Sequence, residues 1–545
     1  MCGITGFWSR EVPSYEPRET LEMMISTLSH RGPDDEGRWS DPDGRLHFGH
    51  TRLSVIDLSA EGHQPMVSRS GRFVITFNGE IFNFEDLKKD LGSSGWRGHS
   101  DTEVMLAAIE QWGVERAVAH FNGQFAFALW DTFDRVLFLV RDRIGIKPLY
   151  FGQFNETIVF GSELKALRSH PEFVHDLSPQ AVVDFLELGY VPSPLSIYSN
   201  VQKLPPGHIL KLTRPGALVE TVPFWSAREV VAGRDPHRGT DAEIVDDLEA
   251  LLRDSVRMRL VADVPVGAFL SGGIDSSLIT SLMTRESRGK VRTFSIGFEE
   301  AEYDESPYAT DVASHLGTDH TNLYVTSDDV QDLLTELPRM YDEPLADVSQ
   351  LPTALVSRLA RKSVTVSLSG DGGDELFGGY SRYERAIRYW RLVSKIPSLL
   401  RRLAKGVAGP TAAFESSKFG MDASFALSRS LLRPAMPGQF ARQIELVGSA
   451  DGWEFYNRGI RLNAGSLTSG ALRGKAADDL PPAFRSFDGL TFLESMQLTD
   501  LQSYLPDDIL VKVDRASMDV ALEVRVPLLD HRVVEYSWQV PERLK

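Results

Sequence analysis

The pattern of hydrophobic and polar positions changes along this chain near residue 210. Before that point, short apolar stretches separated by Gly, Asp, Asn or Pro predict strands, and two stretches with apolar residues three and four positions apart predict helices. The predicted strands cover residues 4–8, 46–48, 73–77, 125–130, 136–141, 149–152, 157–161 and 209–212, and the predicted helices cover residues 17–29 and 102–111. This arrangement predicts stacked antiparallel sheets with helices outside them.

From residue 240 onwards, helical and strand patterns alternate. Helical stretches at residues 241–259, 276–283, 305–316, 328–340 and 351–361 are interleaved with apolar strands at residues 266–270, 291–296, 322–325 and 364–368. Such alternation predicts a parallel sheet with helices on both faces. The segment 213–239 between the two patterns has scattered Pro, Gly and charged residues and is predicted to be a linker. Beyond residue 380 the pattern is mostly helical.

Composition narrows the class of protein. The chain has 545 residues, of which 42% are hydrophobic and 25% charged, which is typical of a globular protein of about two to four domains. The net charge of -18 argues against nonspecific binding to nucleic acid, which needs a basic surface. No apolar run approaches the ~20 residues that span a bilayer, and the N-terminus lacks the pattern of a signal peptide. We therefore expect a cytoplasmic protein without nucleic-acid or membrane partners.

The chain contains a single cysteine, Cys2, which follows the initiator Met1. If Met1 is removed, as the small side chain in second place permits, Cys2 carries a thiol and a free α-amine, which are a nucleophile and a base on one residue. The reference pKa values are about 8.5 for the thiol and about 7.7–8.0 for the amine, so proton exchange between them is nearly balanced. The alternative interpretation of Cys2 is a small buried hydrophobic residue.

Two glycine-rich strings follow predicted strands in the second half. The first, L-S-G-G-I-D-S-S at residues 270–277, opens a predicted helix whose N-terminal N–H groups and dipole favour a bound phosphate. The chain contains no G-x-x-x-x-G-K-[ST] string, so this is not a Walker loop. The second string is S-G-D-G-G-D-E-L-F-G-G-Y at residues 369–380. Ligands of such sheets bind at the carboxyl ends of strands, so both loops should face one crevice, where Asp275 and Asp374 become candidate Mg²⁺ ligands.

Further motifs give the chain a resemblance to a known family. They are M-C-G-I at residues 1–4, H-R-G-P-D at 30–34, R-L-S at 52–54, F-N-G-E at 77–80, S-D-T-E at 100–103 and R-D-x-x-G-x-K-P-L-Y at 141–150. Along essentially its whole length, the chain resembles the glutamine-dependent asparagine synthetases of bacterial type. The resemblance implies a class II glutamine amidotransferase domain at residues 2–212, with the α+β fold (an αββα sandwich) of N-terminal-nucleophile enzymes. It also implies an α/β ATP pyrophosphatase (PP-loop) synthetase domain at residues 240–545, with a parallel sheet and a mostly helical C-terminal part.

For the first domain, the resemblance implies that the Cys2 thiolate attacks the side-chain carboxamide of glutamine. Asn78 and Gly79 then form the oxyanion hole, Arg52 binds the α-carboxylate with its planar fork, and Asp101 binds the α-ammonium. The implied glutamine site comprises Arg52, Leu53, Ser54, Val55, Ile56, Asn78, Gly79, Glu80 and Asp101.

For the second domain, the resemblance implies ATP and Mg²⁺ as cofactors and aspartate as the acceptor. The aspartate carboxylate attacks the α-phosphate to give β-aspartyl-AMP, and ammonia from the first site displaces AMP. Asp371, at a position where many family members have Glu, is linked to adenylate formation. The implied ATP-binding residues are Leu270, Ser271, Gly272, Gly273, Asp275, Ser276, Ser277, Ile296, Ser369 and Gly370, and the implied metal ligands are Asp275 and Asp374.

The sequence leaves several alternatives open. The same chemistry could act on another carboxylate, such as a sugar uronic acid in polysaccharide assembly, or the chain could be a glutamine-binding protein without synthetase activity. In the family, a lysine-bearing segment follows the position of Lys545, so the synthetase domain is expected to be incomplete, with Lys512 as a candidate substitute. Asp514, Arg515 and Arg525 receive no individual roles, because buried structural ion pairs explain them equally well. The resemblance is also compatible with a homodimer.

Overall fold

A computed structural model of the chain describes residues 2–92, 95–217, 220–298, 304–404, 444, 446–462, 484 and 487–545. Within these ranges, no helix is both long enough and apolar enough to cross a membrane. The predicted removal of Met1 concerns a residue that lies outside the described ranges.

The first half of the chain forms two antiparallel sheets that pack face to face. Their described strands are β1 (Gly3–Ser9), β2 (Asp35–Ser40), β3 (Leu46–Arg52), β4 (Met66–Val67), β5 (Phe73–Ile81), β6 (Gly123–Asp131), β7 (Val136–Arg141), β8 (Tyr150–Phe154), β9 (Thr157–Gly161), β10 (Val201–Lys203), β11 (His208–Leu212) and β12 (Glu220–Pro223). One sheet has the strand order β10-β8-β9-β1-β3-β2, and the other has β12-β11-β7-β6-β5-β4. Alternate residues of each strand face inward, so that side chains such as Phe48 and Leu139 fill the space between the sheets.

Helices cover the outer faces of both sheets. The helices of this half are α1 (Pro17–Ser26), α2 (Phe84–Leu91), α3 (Asp101–Trp112), α4 (Val114–His120), α5 (Leu164–Arg168) and α6 (Pro179–Leu188). Helices α1 and α5 contact the sheet that contains β1, and α3 contacts β5 of the other sheet. The layers therefore follow the order helix, sheet, sheet, helix, which confirms the predicted αββα sandwich.

The segment 213–239, which the sequence predicts to be a linker, contains regular structure. Strand β12 pairs with β11 and extends the second sheet beyond residue 212. Helix α7 (Ala227–Ala232) follows, and its buried residues Ala227 and Val231 join a core that belongs mainly to the second half of the chain. The segment thus contributes to both halves.

The second half contains a parallel sheet with the strand order β15-β14-β13-β16-β17. These strands are β13 (Val266–Phe269), β14 (Arg292–Phe298), β15 (Asp319–Val325), β16 (Val366–Leu368) and β17 (Glu523–Arg525). The described helices are α8 (Asp241–Arg259), α9 (Ile274–Glu286), α10 (Ser306–Leu316), α11 (Ser327–Leu334), α12 (Leu337–Tyr341), α13 (Gln350–Arg361), α14 (Gly373–Phe377), α15 (Ser381–Val393), α16 (Gly452–Gly459), α17 (Phe492–Gln502), α18 (Leu510–Met518) and α19 (His531–Ser537). The strand order reverses between β13 and β16, so the loops that follow these two strands share one crevice.

Two elements of the second half differ from the sequence prediction. The predicted helix 328–340 is split into α11 and α12, because Pro338 lacks the backbone N–H that would continue the first helix, and it occupies the first turn of the second. Strand β17 was not predicted, and it pairs with β16 at the edge of the sheet.

The two halves share one continuous hydrophobic core. Leu53, Val55 and Ile144 of the first half pack in the same cluster as Ala268 and Val524 of the second. Since no water separates apolar side chains in such a core, the two halves have a fixed relative position.

Candidate active sites

Cys2 lies immediately before β1 and beside Asn78 of β5. The backbone N–H of Cys2 donates a hydrogen bond to Oδ1 of Asn78 (3.0 Å), and Sγ of Cys2 lies 4.0 Å from the carbonyl oxygen of Leu53. Nδ2 of Asn78 is buried and has no hydrogen-bond partner among the described residues. Because an unsatisfied buried donor is costly, this atom is suited to bind an oxygen of a ligand next to the thiol.

Strands β5 and β6 approach each other so closely at Gly79 that only glycine fits. The φ angle of Gly79 is +149°, and a Cβ at this position would lie 2.0 Å from the carbonyl oxygen of Gln124. Gly79 stands opposite Phe125 in the ladder between the two strands. The sheet itself therefore holds the Asn78–Gly79 pair next to Cys2.

Burial changes the acidity of the Cys2 thiol. It raises the pKa of Cys2 above its ordinary value of 9.0, and nearby Arg52 and the contact with the Leu53 carbonyl lower the pKa only in part. The thiol is therefore protonated at neutral pH, and nucleophilic attack by Cys2 requires a base.

Arg52 lies at the end of β3, with its guanidinium buried beneath the following loop. It donates hydrogen bonds to the carbonyl oxygens of Asp57 and Ser59, the latter at 3.0 Å. A Cβ on Gly62 would collide with this guanidinium. These contacts fix the plane of the guanidinium and leave some of its five N–H donors for a ligand.

The loop 53–56 connects the first site to the second half of the chain. The side chains of Leu53 and Val55 are buried in the shared core, and Ile56 packs against it. The backbone N–H of Ser54 donates a hydrogen bond to Oδ2 of Asp34 (2.7 Å). The side chains and part of the backbone of this loop thus join the first site to the second half of the chain.

Two buried acids, Glu80 and Asp101, complete the predicted glutamine site. Asp101 is the first residue of α3, and its Oδ2 accepts a hydrogen bond from the backbone N–H of Ile81 (2.8 Å). Burial raises the pKa of Asp101 to about 6. Burial also raises the pKa of Glu80, as does the negative charge of Asp101, and Oε2 of Glu80 has no partner among the described residues. Such a pair of acids is suited to bind a cation.

The second site lies where the loops after β13 and β16 meet. A Cβ on Gly370 would lie 2.7 Å from the backbone nitrogen of Ser276, and one on Gly373 would lie 2.3 Å from Oδ2 of Asp275, so the two glycine-rich loops are in direct contact. They open on a cavity of about 1200 Å³. The predicted residues that line it are Leu270, Ser271, Gly273, Asp275, Ser276, Ile296, Ser369, Gly370, Asp371 and Asp374.

Gly272 and Ser277 do not line this cavity. Gly272 has a φ angle of +82°, and a Cβ there would lie 2.7 Å from the backbone of Tyr308 and Ala309, so its role is to form the turn. Helix α9 begins after Gly273 without a side-chain cap, which leaves backbone N–H groups at its N-terminus for an anion.

Three acids face the cavity. Burial, together with the negative charges of Asp374 and Asp371, raises the pKa of Asp275 to about 6. The described residues contain no cluster of three or more His, Cys, Asp or Glu side chains that could hold a metal. The carboxylates of Asp275 and Asp374, which repel each other, nevertheless fit Mg²⁺, because this ion is usually held by one or two carboxylates together with phosphate oxygens and water.

One lysine, Lys512 of α18, also lines the cavity. Its Nζ lies 2.9 Å from Oδ2 of Asp347. Although burial lowers the pKa of Lys512, the charges of Asp347 and Asp371 outweigh this effect and raise the pKa above its ordinary value. Lys512 is therefore a permanent positive charge close to Asp371.

The structure brings further charged residues to the first site. Arg31, Asp514, Glu523 and Arg525 are buried, and the last three belong to the second half of the chain. Sequence reasoning assigned them no role. The signal that could have found them is the presence of charges within otherwise apolar strings, such as E-V-R-V-P-L-L at residues 523–529.

Comparison with known proteins gives matches for both halves. The asparagine synthase family model matches residues 247–545, and the glutamine amidotransferase domain model matches residues 1–225. Two Bacillus subtilis proteins, glutamine-hydrolysing asparagine synthetases 1 and 3, are each 31% identical over 100% of this chain and 82% of their own length. Amidase chry2 of Gibberella zeae is 29% identical over 100% of this chain and 83% of its own length.

The buried thiol predicts the pH dependence of alkylation. Because the pKa of Cys2 lies above 9.0, the rate of reaction with iodoacetamide should still be rising at pH 9. Cys2 is the single cysteine of the chain, so the mass of the intact protein reports this residue alone. The unfolded protein is the control, with a half-maximal rate at about pH 8.5. If the folded protein reached its half-maximal rate at a lower pH than the unfolded protein, the prediction would be wrong.

Proposed function

Because the chain belongs to the asparagine synthase family and carries a glutamine amidotransferase domain at its N-terminus, we propose that it transfers the amide nitrogen of glutamine to aspartate at the expense of ATP. The products are asparagine, glutamate, AMP and pyrophosphate. The observation that carries the proposal is the presence of two complementary sites in one chain. A buried thiol faces an unsatisfied amide donor in one half, and a cavity with two glycine-rich loops and three acids lies in the other.

The first reaction is hydrolysis of glutamine at Cys2. The α-amine of Cys2, free once Met1 is removed, takes the thiol proton, and Sγ attacks the carboxamide carbon. The oxyanion accepts hydrogen bonds from Nδ2 of Asn78 and the backbone N–H of Gly79. The C–N bond then breaks, ammonia leaves with the transferred proton, and water hydrolyses the thioester to glutamate. The raised pKa of the Cys2 thiol is consistent with the need for this base.

Recognition of glutamine rests on charge. The remaining donors of the Arg52 guanidinium bind the α-carboxylate, for which their planar arrangement is suited. The buried carboxyl groups of Asp101 and Glu80 bind the α-ammonium, whose positive charge lowers the pKa values that burial raises. Loop 53–56 supplies backbone contacts to the substrate.

The second reaction takes place in the cavity. Residues of the first glycine-rich loop and the N-terminus of α9 hold the pyrophosphate portion of ATP, and Ile296 and Gly370 contact the adenosine. Asp275 and Asp374 would hold Mg²⁺, which would neutralise phosphate charge. The aspartate carboxylate attacks the α-phosphorus, pyrophosphate leaves, and ammonia displaces AMP from β-aspartyl-AMP. Asp371 and Lys512 lie on the cavity wall, where both orient the acceptor and the positive charge of Lys512 offsets the negative charge of its carboxylate.

Replacement of Cys2 separates the two reactions. Cys2→Ala should abolish glutamate release and glutamine-dependent asparagine formation, because the nucleophile is gone, while ammonium chloride still supports asparagine formation at the second site. Chromatography of the amino acids measures both. Ser9→Ala, at the other end of β1, is the matched control and should leave both reactions unchanged. Loss of both reactions in Cys2→Ala would contradict the assignment of two sites.

Replacement of Asp275 tests the second site. Asp275→Asn should lower aspartate-dependent pyrophosphate release by about 100-fold or more, because the metal clamp loses a charge, and should spare glutamate release. Glu286→Gln is the matched control, since Glu286 ends the same helix and pairs with Arg253 on the surface. Unchanged release in Asp275→Asn would contradict the metal assignment. Pyrophosphate release with glucuronate but not with aspartate would show that the acceptor is a sugar acid and that aspartate is the wrong assignment.

A further inference from the structure

Strand β17 of the second half lies directly against the first site. Nε2 of Gln124 donates a hydrogen bond to the carbonyl oxygen of Val524, the central residue of β17 (3.1 Å). Gln124 stands opposite Glu80 in the ladder between β5 and β6. The edge of the parallel sheet is thus anchored next to the Asn78–Glu80 segment by a contact between residues that are 400 positions apart in the chain.

Arg525 of β17 lies between four groups, two of them carboxylates and two of them backbone carbonyls. Its Nε donates a hydrogen bond to Oε1 of Glu523 (2.6 Å), and its Nη1 donates to the carbonyl oxygens of Arg259 (2.8 Å) and Val261 (2.7 Å). Its Nη2 lies 3.8 Å from Oε1 of Glu80. Because the guanidinium is fully buried and held at two corners, it presents a fixed positive charge to Glu80.

Glu523 is an ionised acid at the same place. Although burial raises its pKa, the positive charges of the N-terminal amine and of Arg525 outweigh this effect and hold the pKa at about 2. Its negative charge in turn raises the pKa values of Cys2, Glu80 and Asp101. Glu523 therefore acts electrostatically on the nucleophile and on both acids of the glutamine site.

Arg31 makes a second connection between the halves, through helix α18. Its Nε donates a hydrogen bond to the carbonyl oxygen of Cys2 (3.1 Å). Its Nη1 and Nη2 donate to the two carboxylate oxygens of Asp514 (2.8 and 3.2 Å), and Nη1 also donates to Oε1 of Glu163 (2.7 Å). All of these side chains are buried, so the bidentate pair fixes the guanidinium that holds the backbone of the nucleophile.

We propose that the synthetase half completes the glutaminase site, with Asp514 positioning Cys2 through Arg31, and Glu523 with Arg525 positioning Glu80 for the substrate ammonium. This inference rests on the proposed function of the Cys2 site. It assigns the second half a part in a reaction whose reacting atoms all bind in the first. Asp514, Glu523 and Arg525 are positioning residues, since each acts through a group that contacts the substrate or the nucleophile.

The two connections have different kinetic consequences. Loss of the Asp514 charge frees Arg31 from one side, so that Cys2 shifts relative to the bound carboxamide and kcat falls. Loss of the Glu523 charge leaves Glu80 as the nearest acid for Arg525, so that Glu80 is drawn away from the substrate ammonium and KM rises. If these residues were needed only for folding, their replacement would not change kcat in one variant and KM in the other.

The first experiment measures glutamate release by Asp514→Asn in the full chain without ATP. We expect kcat to fall by about 100-fold, the effect of a misplacement of about 1 Å, with KM for glutamine little changed. Asp519→Asn is the matched control, because Asp519 lies at the C-terminal end of the same helix and its ion pairs among the described residues, with Arg339 and Arg358, stay within the second half. It should leave glutamate release unchanged.

The second experiment measures the same reaction in Glu523→Gln. We expect KM for glutamine to rise by about tenfold or more, as for loss of a charged hydrogen bond, with a smaller change in kcat. The Kd for ATP, measured by calorimetry, should stay at the wild-type value in both variants. It reports whether the second half is folded.

The inference is overturned if both variants release glutamate at the wild-type rate at all glutamine concentrations, or if they lose ATP binding together with glutamate release. The second result would assign these residues to folding of the synthetase half. Cys2→Ala distinguishes this failure from failure of the proposed function. If Cys2→Ala retains glutamate release, the proposed function is wrong; if it loses release while both other variants keep it, only the present inference is wrong.

Discussion

The arrangement of the two halves depends on the hydrogen bonds and ion pairs of the buried Arg31 guanidinium. It binds the Cys2 carbonyl on one side and the carboxylates of Asp514 and Glu163 on the other. Removal of charges from water is costly, and only well-placed partners offset this cost. Arg515 adds a further pair, with its Nη1 2.9 Å from Oε1 of Glu163. One network of buried charges therefore fixes both Cys2, the proposed nucleophile, and the helix α18 that carries Asp514.

Helix α18 links this network to the ATP cavity. It carries Asp514, which pairs with Arg31, and two positions earlier Lys512, which lines the cavity and pairs with Asp347. The helix has nine residues and is about 14 Å long, so it is short and stiff enough to relate the two sites directly. The shared hydrophobic core around Leu53 and Val524 holds the same interface from the apolar side. An enzyme that passes ammonia from one site to the other needs this fixed relation, because ammonia released into water at pH 7 becomes protonated.

Much of the fold is predictable from local pattern, because strand and helix periodicities are properties of neighbouring residues. Strands β7 and β9 and helix α8 have the bounds predicted from the sequence. The helix predicted over residues 328–340 was too long, because apolar spacing outweighed the breaking effect of Pro338 in the prediction. Strand β17 was missed because it has three residues, alternates charged and apolar side chains, and is formed only by pairing with β16.

The residues of the candidate sites also fall into those that local sequence predicts and those that only the tertiary structure identifies. Cys2, the Asn78–Gly79 pair and both glycine-rich loops were predicted, since each lies in a short string whose chemistry is local. The contributions of Asp514 and Glu523 were not, because they depend on the packing of two sheets, and the Arg31–Asp514 contact joins residues 483 positions apart. Buried charges in an apolar string indicate that partners exist, but the partners are identified only by the tertiary structure.

The central claim is that Arg31 and Asp514 act on Cys2 as one unit, and a double-mutant cycle tests it most directly. The values of kcat for glutamate release are compared in the wild type, Arg31→Gln, Asp514→Asn and the variant with both replacements. If Asp514 acts through Arg31, the double variant is no slower than Arg31→Gln alone, since the group that transmits the effect is already gone. If the two effects multiply, the residues act independently, and the account of a glutaminase site completed by the synthetase half is wrong.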